Sequence, residues 1–398
     1  MTPFWKLSAA GFAATGIAYG PARIGFGLFL SEFRSAFGLS TQAAGLVSGA
    51  GFASLFFGLL VAQRMTARLG PRLPVVAGLC AAALGMAIVA SAPGVVALTL
   101  GVCLAMSSTG FAWTPFNEAV QRRLPDGARP AALSAVSTGT ALGIAAAGAA
   151  ALLASLYGVS WRLCWALFAA AGALTALANL RALREAAGPR ASPRAWRWRA
   201  FAAPPARPLF AVALSLGVTS AIYISFAADR IARSGGLEGL PPSAAPGVVY
   251  GIFGLFGLLG VFTGRARTSA GLARLLHLLL LGSAVSLALV TATPASWAGV
   301  ALSAGLQGVH VMMTSAVLAF WSERLFPGQP ARGFTAALLA YALGSVAGPI
   351  LAGAAAQQLG EVPMFLGAAA VSLGTAAALR PAWIRERAAQ RAAGPGAG

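Results

Sequence analysis

The chain has 398 residues, of which 58% are hydrophobic and only 9% are charged, and its mean hydropathy is +0.78. A soluble domain carries roughly 25% charged residues, so this composition excludes a water-soluble globular protein and indicates a chain that lies in a bilayer. The formal net charge is +19, and its distribution along the chain decides whether it indicates nucleic-acid binding or membrane topology.

Twelve apolar segments follow one another along the chain. Each is near the roughly 20 residues that a helix needs to cross the hydrocarbon core. Their length and their Ala, Leu and Gly content exclude membrane-spanning strands, which alternate in polarity. The segments are 8–30, 41–62, 73–92, 94–117, 131–156, 161–181, 208–228, 246–264, 272–292, 295–320, 332–356 and 361–380. We therefore predict an all-α integral membrane protein.

The two halves of the chain repeat each other. Three glycines recur 202 residues later and three others recur 205 residues later. The pairs are Gly45 and Gly247, Gly49 and Gly251, Gly58 and Gly260, Gly139 and Gly344, Gly143 and Gly348, and Gly148 and Gly353. Glycines four residues apart share one helix face and let helices approach closely in lipid. A duplicated six-helix unit in parallel orientation is typical of a class of secondary transporters.

We predict two pseudo-symmetric six-helix bundles, at 1–181 and 208–380. A basic linker at 182–207 joins them, and a disordered tail at 381–398 follows. If the segments are threaded with the N-terminus in the cytoplasm, 23 of the 28 basic residues face the cytoplasm, which is the positive-inside bias. The charge thus predicts cytoplasmic termini, anionic lipid as the partner of the cytoplasmic face, and no nucleic-acid partner.

Arg23 lies inside the first segment. An arginine near the bilayer centre costs about 2.5–3.5 kcal/mol on insertion scales and cannot lose its charge. One interpretation is an anchor that binds an anionic substrate group through two hydrogen bonds. The alternative is a structural ion pair with Glu32 or Glu118, or snorkelling to the interface. The preceding Gly20 and Pro21 predict a local helix break, which exposes backbone groups in transporter sites.

The fourth segment carries Trp113 and Asn117 one turn apart on the same face, and we predict that both line a cavity. Glu118 precedes Arg122 by four residues, the spacing of a helical ion pair. An interfacial ion pair is the favoured interpretation of Glu118, and a proton-carrying site is the alternative.

The tenth segment carries Gln307, His310 and Thr314 on one face. Because the fourth and tenth segments correspond in the repeat, we expect this face to oppose the polar face of the fourth segment. Because histidine changes charge near neutral pH, His310 is expected to bind substrate or to carry a proton, with a hydrogen-bonded structural histidine as the alternative. Glu32 and Asp229 end the first and seventh segments on the outer side, and we interpret them as solvated charges in preference to an outer gate formed with nearby arginines.

These features resemble the major facilitator superfamily. The sequence from Gly344 to Gly353, with Pro349 after Gly348, is similar to the family's Gly-x-x-x-Gly-Pro-x-x-Gly-Gly pattern, with Ala352 in place of one glycine. The loop between segments two and three also resembles the family motif Gly-x-x-x-Asp-Arg-x-Gly-Arg. Its matching residues are Arg68, Gly70 and Arg72, while Ala67 replaces the aspartate and Gln63 the first glycine. In the family that aspartate belongs to a cytoplasmic charge network.

The resemblance implies a proton-coupled secondary transporter of a bacterial inner membrane, working by alternating access on a small organic solute. Arg23 favours an anionic solute, and drug or metabolite efflux is the alternative. The predicted cavity residues are Arg23, Tyr19, Trp113, Asn117, Gln307 and His310, and the predicted proton carriers are Glu118, His310 and Glu32. The predicted conformational motifs comprise Arg68, Gly70, Arg72, Gly344, Gly348, Pro349 and Gly353.

A membrane-embedded enzyme or a sensor without transport is less well supported. An enzyme needs a cluster of titratable residues around one point, and this chain has two histidines and nine acids, mostly in predicted loops. No Gly-Lys-Ser/Thr phosphate loop is present, which excludes an ATP-driven pump on this chain alone. We expect no metal, no cofactor and a monomeric protein.

Overall fold

The computed structural model describes residues 2–184, 206–326 and 330–384, and these form helices with no strand. The helices are α1 (Pro3–Tyr19), α2 (Pro21–Leu28), α3 (Leu30–Phe37), α4 (Thr41–Leu69), α5 (Arg72–Ala90), α6 (Val95–Arg123), α7 (Arg129–Leu156), α8 (Trp161–Ala182), α9 (Arg207–Arg233), α10 (Ala245–Gly257), α11 (Thr263–Ala270), α12 (Leu272–Ala292), α13 (Trp297–Leu325), α14 (Pro330–Leu359) and α15 (Glu361–Ala378).

The described helices account for twelve membrane spans. Eleven of them are long and apolar enough to cross a membrane, with α10 and α11 joined into one span by a 3-10 turn at Leu258–Phe262. The remaining span is the first in the chain, from Pro3 to Phe37, and it is divided into α1, α2 and α3. Spans one to six form one bundle and spans seven to twelve the other, so the predicted all-α fold of two six-helix bundles is confirmed.

Several helices extend beyond the predicted apolar segments. The fourth span, α6, was predicted at 94–117 and continues to Arg123. The seventh span, α9, was predicted at 208–228 and continues to Arg233. Hydropathy marks only the stretch within the hydrocarbon core, whereas the helices continue by one or two turns into the polar layer.

The first span breaks at Gly20, as predicted. Gly20 has φ −76° and ψ −116°, outside the helical region. Pro21 has no N–H to continue the helix, and a Cβ at Gly20 would lie 2.5 Å from the carbonyl oxygen of Gly143 on α7. The break starts α2 beside α7 and places Arg23 in its first turn.

We call the end of the bundles where α1 begins and α4 ends the proximal face, and the opposite end the distal face. The most extensive contacts between the two bundles are made by three helix pairs: α4 with α14, α7 with α10, and α2 with α9. The first two pairs are pseudo-symmetric, because the α4 and α10 spans correspond in the repeat, as do α7 and α14.

The repeated glycines form these contacts between the bundles. A Cβ at Gly45 would meet the carbonyl oxygen of Pro349 and lie 3.1 Å from the Cα of Gly353. In the other pair, a Cβ at Gly148 would lie 2.8 Å from the carbonyl oxygen of Gly247. The same repeat positions therefore permit backbone contact at both interfaces.

The other repeated glycines pack within each bundle. A Cβ at Gly143 would meet the backbone of Gly16 on α1, and one at Gly344 would meet the Leu214 carbonyl on α9. Gly348 lies one turn further along the same contact of α14 with α9.

Most of the predicted linker and tail, at 185–205 and 385–398, lies outside the described residues. The described start of the tail, at 381–384, contains a single 3-10 turn, Pro381–Trp383. The division into domains therefore stays a prediction at these two segments.

Candidate functional site

A cavity of about 570 Å³ lies between the two bundles. It extends from Arg23 on α2 to Gln121 on α6 and Glu323 on α13, both exposed near the proximal ends of their helices. Its walls come from both bundles. The lining residues are Tyr19, Arg23, Trp113, Asn117, Gln121, Leu133, Ser137, Thr140, Leu216, Val311, Met312, Ser315, Ala316, Leu318, Ala319, Phe320, Glu323, Phe334, Leu338 and Tyr341.

Arg23 lies at the inner part of this cavity and is only 5% exposed. Its Nη2 donates a hydrogen bond to the hydroxyl of Tyr341 on α14, across the boundary between the bundles. The guanidinium carbon lies 5.6 Å from the ring centre of Tyr19, 5.9 Å from that of Phe52 and 5.7 Å from that of Tyr341. Aromatic faces attract a cation, so these rings partly compensate the buried charge.

No carboxylate of the described residues forms an ion pair with Arg23. Glu118 instead pairs with Arg122, with 2.8 Å between Oε1 and Nε, and Glu32 lies half-buried at the distal end of the first span. The Nε of Arg23 is also buried without a hydrogen-bond partner in the described part of the chain. The structure thus contains neither of the two ion pairs considered as structural alternatives for Arg23.

Four of the six predicted cavity residues come together on the cavity wall: Tyr19, Arg23, Trp113 and Asn117. The side-chain oxygen of Asn117 accepts a hydrogen bond from Gln121 at 3.2 Å, one turn nearer the proximal face.

The other two predicted cavity residues lie elsewhere. Gln307 and His310 are fully buried inside the second bundle and do not line the cavity. The Nδ1 of His310 lies 3.4 Å from the Thr314 hydroxyl, and both polar side-chain atoms of Gln307 lack a partner among the described residues. The neighbouring Val311 and Met312 of the same helix line the cavity instead, about 100° and 200° around the helix axis from His310.

A second charged group closes the distal end, where Asp229 on α9 is 1% exposed. Its Oδ2 lies 3.0 Å from Nε of Arg34 on α3 and 3.1 Å from Nε of Arg233, and its Oδ1 accepts from Ser31 at 3.0 Å. Arg233 also pairs with Glu361 at the start of α15. We call Arg34, Asp229, Arg233 and Glu361 the distal latch. The interpretation of Asp229 as a solvated charge was wrong, because α3 brings Arg34 and Ser31 over it.

The proximal motif loop contains no carboxylate. Gly70 adopts φ +81° between α4 and α5, and Arg68 and Arg72 flank it. Gln63, in place of the motif's first glycine, donates a hydrogen bond to Thr335 on α14. Gln63 thus connects the two bundles on this side through a neutral hydrogen bond.

Sequence reasoning missed Tyr341, Gln121 and Glu323, which all line the cavity. Tyr341 was identifiable from the sequence, because a tyrosine inside an apolar segment needs a hydrogen-bond partner for its hydroxyl. In the described part of the chain, no three His, Cys, Asp or Glu residues are grouped in a way that could hold a metal ion.

A sequence model described as Major Facilitator Superfamily matches residues 9–275. No curated protein sequence matches the chain significantly. A bacterial homolog of the human lysosomal transporter Spinster, in an inward-facing, unoccupied conformation, has a similar structure with TM-score 0.72 and 17% identity, over 95% of this chain and 96% of that chain.

Two further solved transporters are similar over nearly their whole length. A mutant of the nucleoside transporter NupG has TM-score 0.74 and 14% identity, over 95% of this chain and 98% of that chain. A mutant of the peptide transporter POT has TM-score 0.75 and 15% identity, over 96% of this chain and 93% of that chain. At these identities the similarity shows a common fold.

Proposed function

The chain belongs to the major facilitator superfamily, and on this premise we propose that it is a secondary transporter that moves a small organic anion by alternating access. The observation that carries the proposal is Arg23. It is a buried cation on the wall of a cavity between the bundles, without an ion-pair partner among the described residues. A bound anion compensates this charge, and both bundles contact the site.

We infer that the proximal face lies in the cytoplasm of a bacterial inner membrane, because most of the basic residues lie on that side. In this orientation the cavity is accessible from the cytoplasm, and the distal latch closes the outer side. The basic residues of the proximal face are also suited to anionic lipid.

The distal latch supports alternating access. It connects α3 of the first bundle with α9 and α15 of the second, so opening the outer side separates Arg34 from Asp229. On the proximal side, Ala67 replaces the acid of the family's motif, and the Gln63 and Thr335 side chains form a neutral hydrogen bond between the bundles. This difference favours the conformation that opens to the cytoplasm.

Proton coupling is part of the proposal and has three candidate carriers. Glu118 is paired with Arg122 near the cavity mouth, Glu32 borders a small distal pocket, and His310 is buried beside Thr314. The sign of the proton flux distinguishes symport from antiport.

Reconstituted vesicles provide the test. We would record internal and external pH while adding pools of organic anions, with and without an imposed pH gradient. Alkalinisation outside that depends on the added anion and on Arg23 establishes proton symport. An Arg23→Ala variant that folds and transports at the rate of the parent protein contradicts the anchor role.

Drug or metabolite efflux is the second candidate, because the cavity wall is largely apolar and carries Trp113 and Phe320. Movement of labelled apolar cations without proton flux for any anion favours it and makes Arg23 a structural residue. The transporters of similar fold point away from an enzyme or a sensor, and we propose that the protein acts as a monomer.

A further inference from the structure

We propose that the cavity binds an aromatic or similarly apolar monocarboxylate, with its single carboxylate on Arg23 and its apolar body between the aromatic side chains. This inference rests on the proposed transport function and names the substrate class of the same site.

The charges on the wall limit the solute to one negative charge. Among the described lining residues, Arg23 is the one cation and Glu323 the one acid. A second negative charge on the solute finds no cation there and is repelled by Glu323 at the mouth. A phosphate monoester, which carries close to two charges at neutral pH, is disfavoured for the same reason.

The free hydrogen-bonding groups of Arg23 match a planar carboxylate. Tyr341 takes one Nη2 hydrogen, and the buried Nε has no partner in the described part of the chain. A carboxylate accepts two parallel N–H groups from a guanidinium, which fixes its orientation as well as its charge.

The rest of the wall favours an apolar body. The rings of Tyr19 and Tyr341 flank the guanidinium, and Trp113 lies on the same wall. Asn117 and Gln121 hydrogen-bond to each other. The aliphatic hydroxyls of the described wall are limited to Ser137, Thr140 and Ser315, so few groups are left for the hydroxyls of a sugar or polyol. A volume of about 570 Å³ accommodates a solute of drug-like size.

The experiment measures equilibrium binding of radiolabelled phenylacetate to the full chain in lipid nanodiscs. Benzoate and 3-phenylpropionate are expected to compete with similar affinity. Neutral phenylacetamide, dianionic phenylmalonate and ring-free acetate are each expected to compete about 30-fold more weakly or worse.

Two variants and one control connect binding to the site. Arg23→Gln is expected to weaken phenylacetate binding about 30-fold, and Arg23→Lys, which keeps the charge but not the fork, about 10-fold. Arg162→Gln is the matched control, because Arg162 lies over the Trp161 ring outside the cavity and is expected to leave affinity within about twofold.

The substrate class is overturned if none of the three aromatic acids binds, if phenylmalonate competes as well as phenylacetate, or if folded Arg23→Gln binds normally. Vesicle flux separates this failure from that of the proposed function. If flux depends on Arg23 but only for a different kind of anion, the proposed substrate class is overturned and the transport function is not. If phenylacetate binding depends on Arg23 but no flux occurs, the substrate class is supported and the transport function is contradicted.

Discussion

Replacing Asp229 by asparagine should open the distal side. In the structure, the carboxylate is almost fully buried and bonds Arg34, Arg233 and Ser31 at 3.0–3.1 Å. Asparagine keeps an acceptor for Ser31 but removes the charge, so the charge-assisted hydrogen bonds to Arg34 and Arg233 are lost. Arg233 follows Asp229 by four residues on α9, so of these two bonds only the one to Arg34 joins the bundles.

The magnitude follows from the bond to Arg34. A hydrogen bond between charged groups contributes about 1.5–3 kcal/mol, and the side chain of Arg34 is only 15% exposed, so the loss of this bond costs about 2 kcal/mol. The Arg233 bond lies within α9 and is present whether the distal side is open or closed, so it does not change this ratio. When the distal side is open, these groups are hydrated and the substitution has little effect. The ratio of open to closed protein should therefore rise about 30-fold, which corresponds to about 2 kcal/mol.

A cysteine at Ser48 reports this opening. Ser48 on α4 is 2% exposed, and its hydroxyl lies 2.5 Å from that of Ser225 on α9, so the contact between the bundles covers it. In a background without the three native cysteines, a membrane-impermeant maleimide added from the distal side should label Ser48→Cys about 30-fold faster when Asp229→Asn is present.

The control is Glu238→Gln, which removes an exposed carboxylate in the loop that follows α9, outside the latch. It should change labelling less than about twofold. Arg34→Gln should act like Asp229→Asn, and the double variant should add little, because both changes remove the same bond. Labelling of Asp229→Asn within about threefold of the parent rate would refute the latch.

Three further predictions concern the cavity, the interface and coupling. Tyr341→Phe keeps the ring but removes the acceptor of Arg23, so the KM for anion flux should rise about 5-fold with kcat unchanged, and an unchanged KM would contradict this. Gly45→Val collides with α14 and should accelerate distal labelling of Ser48→Cys about 5- to 100-fold. Gly367→Val is the control, because an added Cβ there meets nothing within 4 Å, and equal labelling rates for the two variants would contradict the close approach of α4 and α14. Glu118→Gln should retain flux driven by a pH gradient, because Arg122 already compensates this carboxylate, and loss of gradient dependence with intact exchange would identify Glu118 as the proton carrier.

The sequence by itself determined that the chain lies in a bilayer, how many spans it has and that its two halves are duplicated. Hydropathy and segment length depend on residues close in sequence, so they predicted twelve helices, and the Gly20 and Pro21 pair predicted the break in the first. The repeat predicted which glycines are equivalent. The energetic cost of an arginine in an apolar segment marked Arg23, whatever its neighbours are.

The tertiary structure decided which charges meet and which side chains face the cavity. Arg23 and Tyr341 are 318 positions apart, and Arg34 and Asp229 are 195 apart, so only the packing of helices from different bundles joins them. Successive side chains of a helix point in directions about 100° apart around its axis, so the rotation of a helix in the bundle decides which of them face the cavity. His310 therefore points into its bundle while the next residue, Val311, lines the cavity, and no local pattern in an apolar helix distinguishes the two directions.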